Sequence, residues 1–190
     1  MLKFKNLWQG EFISVISPIE IEYECINEHD SMQVLPLIIP KNAISIDDAY
    51  LIIRKEFCPP YMIKDKLGNK FFYTIISGMM DKENETPEQT MSRELIEEAG
   101  IKLLNYDIIY NLNDIPYTKV TSSRLNLFII SIKNFERVEA TGDGTENEKI
   151  SKSIAVKLKN MDNILKKPNA DFLLHSAYNI LKNNLNKIKL

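Results

Sequence analysis

The chain has 190 residues, with 24 Lys plus Arg against 26 Asp plus Glu and a formal net charge of −2 at pH 7. This near-balance argues against a dedicated nucleic-acid binder, which needs a strong basic field. No apolar run of about 18 residues occurs, so we expect no transmembrane helix and no membrane partner. Met1 to Gly10 contain no signal-peptide core, and Cys25 and Cys58 have no metal-ligand or CxxC spacing. We therefore expect a globular cytoplasmic protein.

The first half of the chain is predicted to consist of strands. β-branched or apolar segments bounded by turn residues lie at Glu11 to Ser17, Glu20 to Asn27, Met32 to Ile39, Ala49 to Arg54 and Phe71 to Ile76. The first two are predicted to form a hairpin. The last one leads directly into Ser77-Gly78.

The second half is predicted to contain three more strands and a terminal helix. The strands are expected at Ile108 to Leu112, Leu125 to Ile132 and Ile150 to Leu158. The helix is expected over Asp171 to Ile188, where apolar residues recur at helical spacing. No repeat or low-complexity linker separates these segments. The pattern predicts one domain over residues 1–190 of mixed α/β (α+β) architecture.

Residues 86–100 carry the signals of both ends of a helix. Thr86 is a good N-cap, Pro87 suits the first helical position, and Gln89 completes a capping box. Gly100 is a natural C-terminal stop. The spacing of the apolar residues in between predicts a buried stripe of Met91, Leu95 and Ala99.

Three acids crowd a neighbouring face of this predicted helix. Glu94 lies four residues before Glu98 and three before Glu97. Like charges at this spacing cost about 0.2–0.5 kcal/mol per pair, and the helix dipole opposes negative charge near the C-terminus. A divalent cation would remove both penalties, and oxygen ligands favour Mg2+ first and Mn2+ or Ca2+ next. The alternative is an ordinary solvated acidic face.

The complete pattern around these acids is more specific than the acids alone. Gly78, Glu85 and the run Arg93-Glu94-Leu95-Ile96-Glu97-Glu98-Ala99-Gly100-Ile101 resemble the signature of the Nudix hydrolase superfamily over residues 78–101. The signature has five residues between its first Gly and Glu, whereas this chain has six, Met79 to Asn84. Asn84 stands where many members have Gly, and Asn tolerates the left-handed conformation better than most residues. We expect the insertion to be tolerated.

The resemblance implies a fold, a reaction and a set of residues. The fold is a mixed β-sheet sandwiched between helices. By resemblance Glu94 and Glu98 are the principal metal ligands, Ser77 is a main-chain ligand, and Glu97 is a further candidate for metal binding and catalysis. Gly78, Glu85, Arg93 and Gly100 are structural residues of the motif, with Glu85 and Arg93 forming an ion pair. The implied chemistry is Mg2+-dependent hydrolysis, with Mn2+ as a possible substitute, of a nucleoside diphosphate linked to another group.

Segments outside the signature are similar to the ADP-ribose pyrophosphatase and nucleotide-sugar hydrolase subgroup. They are His29 to Pro36, Glu56 to Pro60, Ile76 to Asp81 and Gly144 to Ile150. In the last of these the resemblance assigns Glu146 as the general base and Glu148 as a metal ligand. The alternative for that segment is a solvated acidic turn.

Two departures from the subgroup bear on the substrate. Cys58 stands where an Arg is common, which removes a possible bidentate phosphate contact. The segment Lys119 to Arg124 keeps only Arg124 of a usual Glu-Arg pair, and Arg124 is our candidate substrate-binding residue. ADP-ribose or a nucleotide sugar is the expected substrate. The alternatives are a nucleoside triphosphate or dinucleotide, or an inactive module that senses nucleotides.

The N-terminal segment is expected to mediate dimerisation. Residues of about 1–28 match the position of a β extension through which members of this subgroup dimerise. Exchange of strands between protomers would cover otherwise open sheet edges. We therefore predict a homodimer.

Overall fold

The computed structural model describes residues 3–11, 13–19, 23–59, 67–142 and 149–188. The strands in these ranges are β1 (Phe4–Gln9), β2 (Ser14–Pro18), β3 (Cys25–Asn27), β4 (Ser31–Ile38), β5 (Tyr50–Phe57), β6 (Phe71–Thr74), β7 (Ile76–Met79), β8 (Ile101–Pro116), β9 (Arg124–Arg137) and β10 (Lys152–Lys157). The helices are α1 (Pro87–Ala99), α2 (Met161–Leu165) and α3 (Phe172–Asn183), with short 3-10 turns at Ile46–Asp48, Leu158–Asn160 and Leu185–Lys187.

The main sheet has seven strands and mixed direction. Its central order is β10-β5-β4-β9-β8, with β6 paired to β5 and β7 paired to β4. The β4–β9 pair is parallel, and the other pairs are antiparallel. Strand β4 has six consecutive buried residues because both of its faces are covered.

Helices α1 and α3 pack on opposite faces of this sheet. Alternation along β5 sends Leu51 and Ile53 into the apolar cluster that contains α3, and Ile52 into the cluster that contains α1. The predicted stripe of α1 is buried in the second cluster as expected. The predicted architecture, a mixed sheet between helices, is confirmed.

Residues before β4 form a separate three-stranded antiparallel sheet of order β1-β2-β3. Its β2–β3 pair is the predicted hairpin, while β1 was not predicted. All six residues of β1 are exposed. Its sequence, FKNLWQ, does not alternate between apolar and polar residues as that of a half-buried strand does. The sheet is joined to the segment before β9 by backbone bonds from Ile26 N to Val120 O and from Ser122 N to Ile26 O.

Several predicted boundaries differ from those in the structure. Strands β8 and β9 run over 16 and 14 residues, well beyond Ile108 to Leu112 and Leu125 to Ile132. Polar residues interrupt the apolar pattern of β8, but long-range pairing with β9 continues through several register shifts. The terminal helix ends at Asn183, and its last predicted turn is a 3-10 turn instead. No helix in the described ranges is both long and apolar enough to cross a membrane.

Candidate active site

The loop and helix that carry the acids form as their local signals predict. Thr86 Oγ1 accepts a bond from Gln89 N at 3.3 Å, and Gln89 Oε1 accepts one from Thr86 N at 2.8 Å. Gly100 ends the helix in the left-handed conformation, with φ of 61°. Asn84 also has a positive φ, 62°, so it adopts the left-handed turn expected of it at the insertion.

Arg93 connects the loop to the acids of α1. Its Nε and Nη2 donate to the two carboxylate oxygens of Glu85, each at 3.0 Å. Its Nη1 donates to Glu94 Oε1 at 2.6 Å and to Glu97 Oε2 at 3.1 Å. The bidentate bond with Glu85 raises the pKa of Arg93, and the guanidinium of Arg93 holds the pKa of Glu85 below its usual value. The structure thus contains the expected Glu85–Arg93 ion pair.

Glu94 lies directly against the end of β7. It is 6% exposed, and a Cβ built on Gly78 would overlap its carboxylate. The absence of a side chain at Gly78 therefore makes room for Glu94. This close approach gives Gly78 the structural role that the motif implies.

Glu98 is held by an arginine that the sequence analysis missed. Arg54 Nη2 lies 3.2 Å from Glu98 Oε1, and Arg54 Nη1 donates to the Glu98 carbonyl oxygen at 3.4 Å. Ser153 Oγ donates to the same carbonyl at 2.8 Å. A charged residue at the end of the buried run Leu51 to Ile53 was the available signal, because alternation places Arg54 on the same side as Ile52, towards α1.

An acid-lined cavity of about 340 Å³ brings together six of the predicted residues: Ser77, Gly78, Arg93, Glu94, Glu97 and Glu98. We call it the acid pocket, and its lining comprises Ser31, Gln33, Glu56, Ser77, Gly78, Met79, Asp81, Arg93, Glu94, Glu97 and Glu98. Within the described residues, no three His, Cys, Asp or Glu side chains are grouped closely enough to hold a metal ion. Instead, Arg93 and Arg54 engage the acids of α1. The donor types, carboxylates and a main-chain carbonyl at Ser77, nevertheless suit a hard ion such as Mg2+.

A second cavity, of about 460 Å³, adjoins the acid pocket and shares Glu97 and Glu98 with it. We call it the basic pocket because four cationic residues line it: Arg54, Arg137, Lys149 and Lys152. Its remaining lining includes the hydroxyl residues Thr141, Ser151 and Ser153. Carboxylates and cationic side chains are therefore adjacent at the C-terminal end of α1. Such a site suits a metal-bound anion, because the carboxylates can bind the metal ion and the cationic side chains can bind the anion.

A third cavity, of about 120 Å³, adjoins the acid pocket through Gln33, Glu56 and Ser77. We call it the inner chamber, and its other lining residues are Cys58, Phe72, Thr74, Tyr117, Asp171 and Leu173. Burial raises the pKa of the Asp171 carboxyl, and burial together with the nearby charge of Asp171 raises the pKa of the Tyr117 hydroxyl. Neither effect was foreseen from the sequence.

Of the predicted residues that the structure describes, Glu85, Gly100 and Arg124 line none of these three cavities. Arg124 lies at the start of β9, where its Nε is 3.4 Å from Asp114 Oδ1, and its role in substrate binding stays a prediction. Glu146 and Glu148 lie outside the described residues. Their assigned roles also stay predictions.

The comparisons with known proteins support the fold. No protein-family model matches the chain, and no curated protein matches it significantly. A solved structure described as an ADP compounds hydrolase matches over 96% of this chain and 93% of that chain, with a TM-score of 0.65. The two sequences are 16% identical, so the likeness shows the fold alone. The chain therefore has the mixed α+β, Nudix-like fold that its loop–helix motif implied.

Proposed function

We propose that this protein is a divalent-metal-dependent hydrolase of a nucleoside diphosphate linked to another moiety, releasing two monophosphates. The observation that carries this proposal is the junction of the acid pocket and the basic pocket at Glu97 and Glu98. A diphosphate needs cations to bind it, and hydrolysis at phosphorus needs a strong Lewis acid and an oriented water. At the junction, cationic side chains are available to bind the diphosphate, and carboxylates are available to bind the metal ion.

Each group at the junction has a part in this reaction. Glu94, Glu97, Glu98 and the carbonyl of Ser77 would hold Mg2+, which when bound neutralises phosphate charge and activates water. The cationic residues of the basic pocket bind phosphate oxygens, as Arg and Lys do in other phosphate sites. Glu85 fixes Arg93, and Arg93 in turn orients Glu94 and Glu97. Glu146 is the candidate base that takes a proton from water, and Glu148 is a further ligand.

ADP-ribose or a nucleotide sugar is the substrate class that we propose. The sequence similarity to the ADP-ribose pyrophosphatase subgroup supports it, and so does the fold shared with a protein described as an ADP compounds hydrolase. A nucleoside triphosphate or dinucleotide is the alternative substrate. We further propose that the protein acts as a cytoplasmic homodimer.

One observation favours a second candidate, a nucleotide-sensing module without catalysis. Arg93 contacts both Glu94 and Glu97, and Arg54 contacts Glu98, so the acids of α1 already have cationic partners. A domain that has lost metal binding could use these same ion pairs for stability. The hydrolase is preferred because the chain has all five acids of the motif and its downstream loop.

The deciding experiment is release of phosphate monoesters from a substrate panel, with Mg2+ or Mn2+ present and a coupled phosphatase as the readout. The panel holds ADP-ribose, nucleotide sugars, dinucleotides and nucleoside triphosphates. Glu98→Gln should remove most of the activity. Glu88→Gln is the matched control, because Glu88 is an exposed glutamate on the first turn of the same helix. Full activity in Glu98→Gln would reject the metal assignment, and no turnover of any compound would favour the sensing module.

A further inference from the structure

Gln33 has a buried polar group that the reaction described above does not use. It is 6% exposed, it lies on β4 opposite Ser77 of β7, and its Oε1 has no hydrogen-bond partner within the described part of the chain. A buried amide oxygen without a partner destabilises the folded protein, because it has lost its hydrogen bonds to water. Its position in the walls of both the acid pocket and the inner chamber indicates that the missing partner comes from a ligand.

The charge of the inner chamber restricts what that ligand can be. Among its described lining residues there is no Lys or Arg, whereas Glu56 and Asp171 both line it. A phosphate group would be repelled there, and an ionised phosphate has no hydrogen to donate to Gln33 Oε1. The chamber therefore suits an uncharged group that carries hydrogen-bond donors. The basic pocket, which adjoins the acid pocket at Glu97 and Glu98, suits the charged part of the same molecule.

The size and the apolar walls of the chamber narrow the choice further. Its volume of about 120 Å³ equals the share of about four liquid water molecules, enough for one small ring. Phe72, Leu173 and the ring of Tyr117 add apolar surface beside the hydroxyl of Thr74. Sugar rings have this mixed character, because their hydroxyls both donate and accept hydrogen bonds while their C–H faces pack on aromatic rings.

We infer that the inner chamber is a sugar subsite and that Gln33 is a specificity-determining residue, which accepts a hydrogen bond from a hydroxyl of an uncharged sugar attached to the diphosphate. This inference rests on the proposed function, since it describes one end of the same substrate. The sugar subsite would favour sugar-linked nucleoside diphosphates over nucleoside triphosphates. In a triphosphate the corresponding end carries a further negative charge, which would face Glu56 and Asp171.

The test compares two substrates that share adenosine diphosphate. ADP-ribose carries a sugar at the far end and ATP carries a third phosphate, and AMP release from both is followed by chromatography with Mg2+ present. Gln33→Leu should lower kcat/KM for ADP-ribose about 5- to 10-fold, which is the loss of one neutral hydrogen bond, mainly through a higher KM. The same variant should change kcat/KM for ATP less than about twofold. Gln33→Met is a second variant of similar shape.

Ser131→Ala is the matched control. Ser131 Oγ is also buried without a partner in the described residues, but Ser131 lines none of the three cavities. It separates loss of a sugar contact from the general effect of removing a buried polar group. The control variant should keep the parental kcat/KM for both substrates, with unfolding curves recorded for all variants.

A calorimetric titration of ADP-ribose onto the parent and the Gln33 variants keeps this inference distinct from the proposed function. If the parent hydrolyses both ATP and ADP-ribose, and both Gln33 variants lower kcat/KM equally for the two substrates, the proposed hydrolysis stands and the sugar subsite is rejected. If the parent hydrolyses neither compound but binds ADP-ribose 5- to 10-fold more tightly than the variants do, the subsite stands and hydrolysis fails. Unchanged binding and turnover in both variants would mean that the chamber holds only water, and would overturn the inference.

Discussion

Arg54 Nη2 lies 3.2 Å from Glu98 Oε1, and the two side chains are only 4% and 7% exposed. A buried cation from the sheet therefore contacts the carboxylate that the motif assigns to metal binding. Any ion that binds Glu98 must share this carboxylate with Arg54 or displace it. Because a buried charge without its partner is strongly destabilising, Arg54 and the metal are alternative means of satisfying the same acid.

Removal of Arg54 should make the stability of the protein depend on metal. Arg54→Met leaves Glu98 buried without this cation, which should cost about 3–5 kcal/mol when metal is absent. Saturating Mg2+ should restore a large part of this loss, so the thermal midpoint should rise more with Mg2+ than in the parent. Thermal unfolding in EDTA and in Mg2+ measures both effects.

Arg137→Met is the control for this experiment. Arg137 also lines the basic pocket and donates to the Ala99 carbonyl at 3.2 Å, but it has no described contact with a carboxylate of α1. Its thermal midpoint should respond to Mg2+ as that of the parent does. A response of Arg54→Met equal to that of Arg137→Met would show that Arg54 and metal do not share Glu98.

The candidate base can be tested although Glu146 lies outside the described residues. Glu146→Gln removes proton acceptance and should lower kcat about 10²- to 10⁴-fold, with KM changed little. Steady-state kinetics on the best substrate of the panel gives both constants. Glu139→Gln, at an exposed position that precedes Glu146 in the sequence, should leave kcat unchanged. A parental kcat in Glu146→Gln would move the role of base to Glu97.

The Glu85–Arg93 pair should make stability depend on pH in the acid range. Arg93 lowers the pKa of Glu85 in the folded protein below the ordinary value of 4.5, so the folded state binds this proton more weakly than the unfolded state. The stabilisation is therefore fully present above pH 4.5 and is lost as the pH falls through the lowered pKa. Glu85→Gln should lower the free energy of unfolding by about 1–3 kcal/mol at pH 7.

Urea unfolding between pH 7 and pH 3 tests this sign. The difference in free energy of unfolding between the parent and Glu85→Gln should shrink as the pH falls below 4.5. Glu83→Gln, in the same loop but exposed, should match the parent throughout. A difference that stays constant with pH would contradict the assignment of this stabilisation to an ionised Glu85.

The part of the site that could be predicted is the part determined by local sequence. The N-cap at Thr86, the C-terminal stop at Gly100 and the spacing of the acids each depend on residues that are close together in the sequence. The pairing of Arg54 with Glu98 joins residues 44 positions apart, and the inner chamber depends on residues from Gln33 to Leu173. Such contacts depend on strand order, which composition and periodicity do not determine.

The full length of β8 and the existence of β1 also could not be predicted from the local sequence. In β8 the polar residues are tolerated because pairing with β9 supplies the backbone hydrogen bonds, whatever the side chains are. In β1 all side chains are exposed, so no buried face leaves a pattern in the sequence. Both strands follow from pairing between segments, and pairing is not visible in one segment alone.

The N-terminal sheet provides the last prediction, the homodimer. Large apolar side chains are exposed in its first strand and in the segments that flank its strands: Phe4, Leu7, Trp8, Ile13, Ile19 and Tyr23 are all at least 36% exposed. A concentration of this kind is typical of an interaction surface. Leu7→Lys places a charge there and should shift the protein from dimer to monomer, as measured by light scattering at fixed concentration.

Leu104→Lys is the matched control for the dimer. Leu104 of β8 is 57% exposed, comparable to the 46% of Leu7, but lies outside the N-terminal sheet. Because a charge at an exposed position away from an interface changes little, Leu104→Lys should keep the parental mass. A parent that scatters light as a 22.0 kDa particle would reject the dimer itself. A dimer that survives Leu7→Lys but dissociates in Leu104→Lys would place the interface on the long β8–β9 ribbon instead.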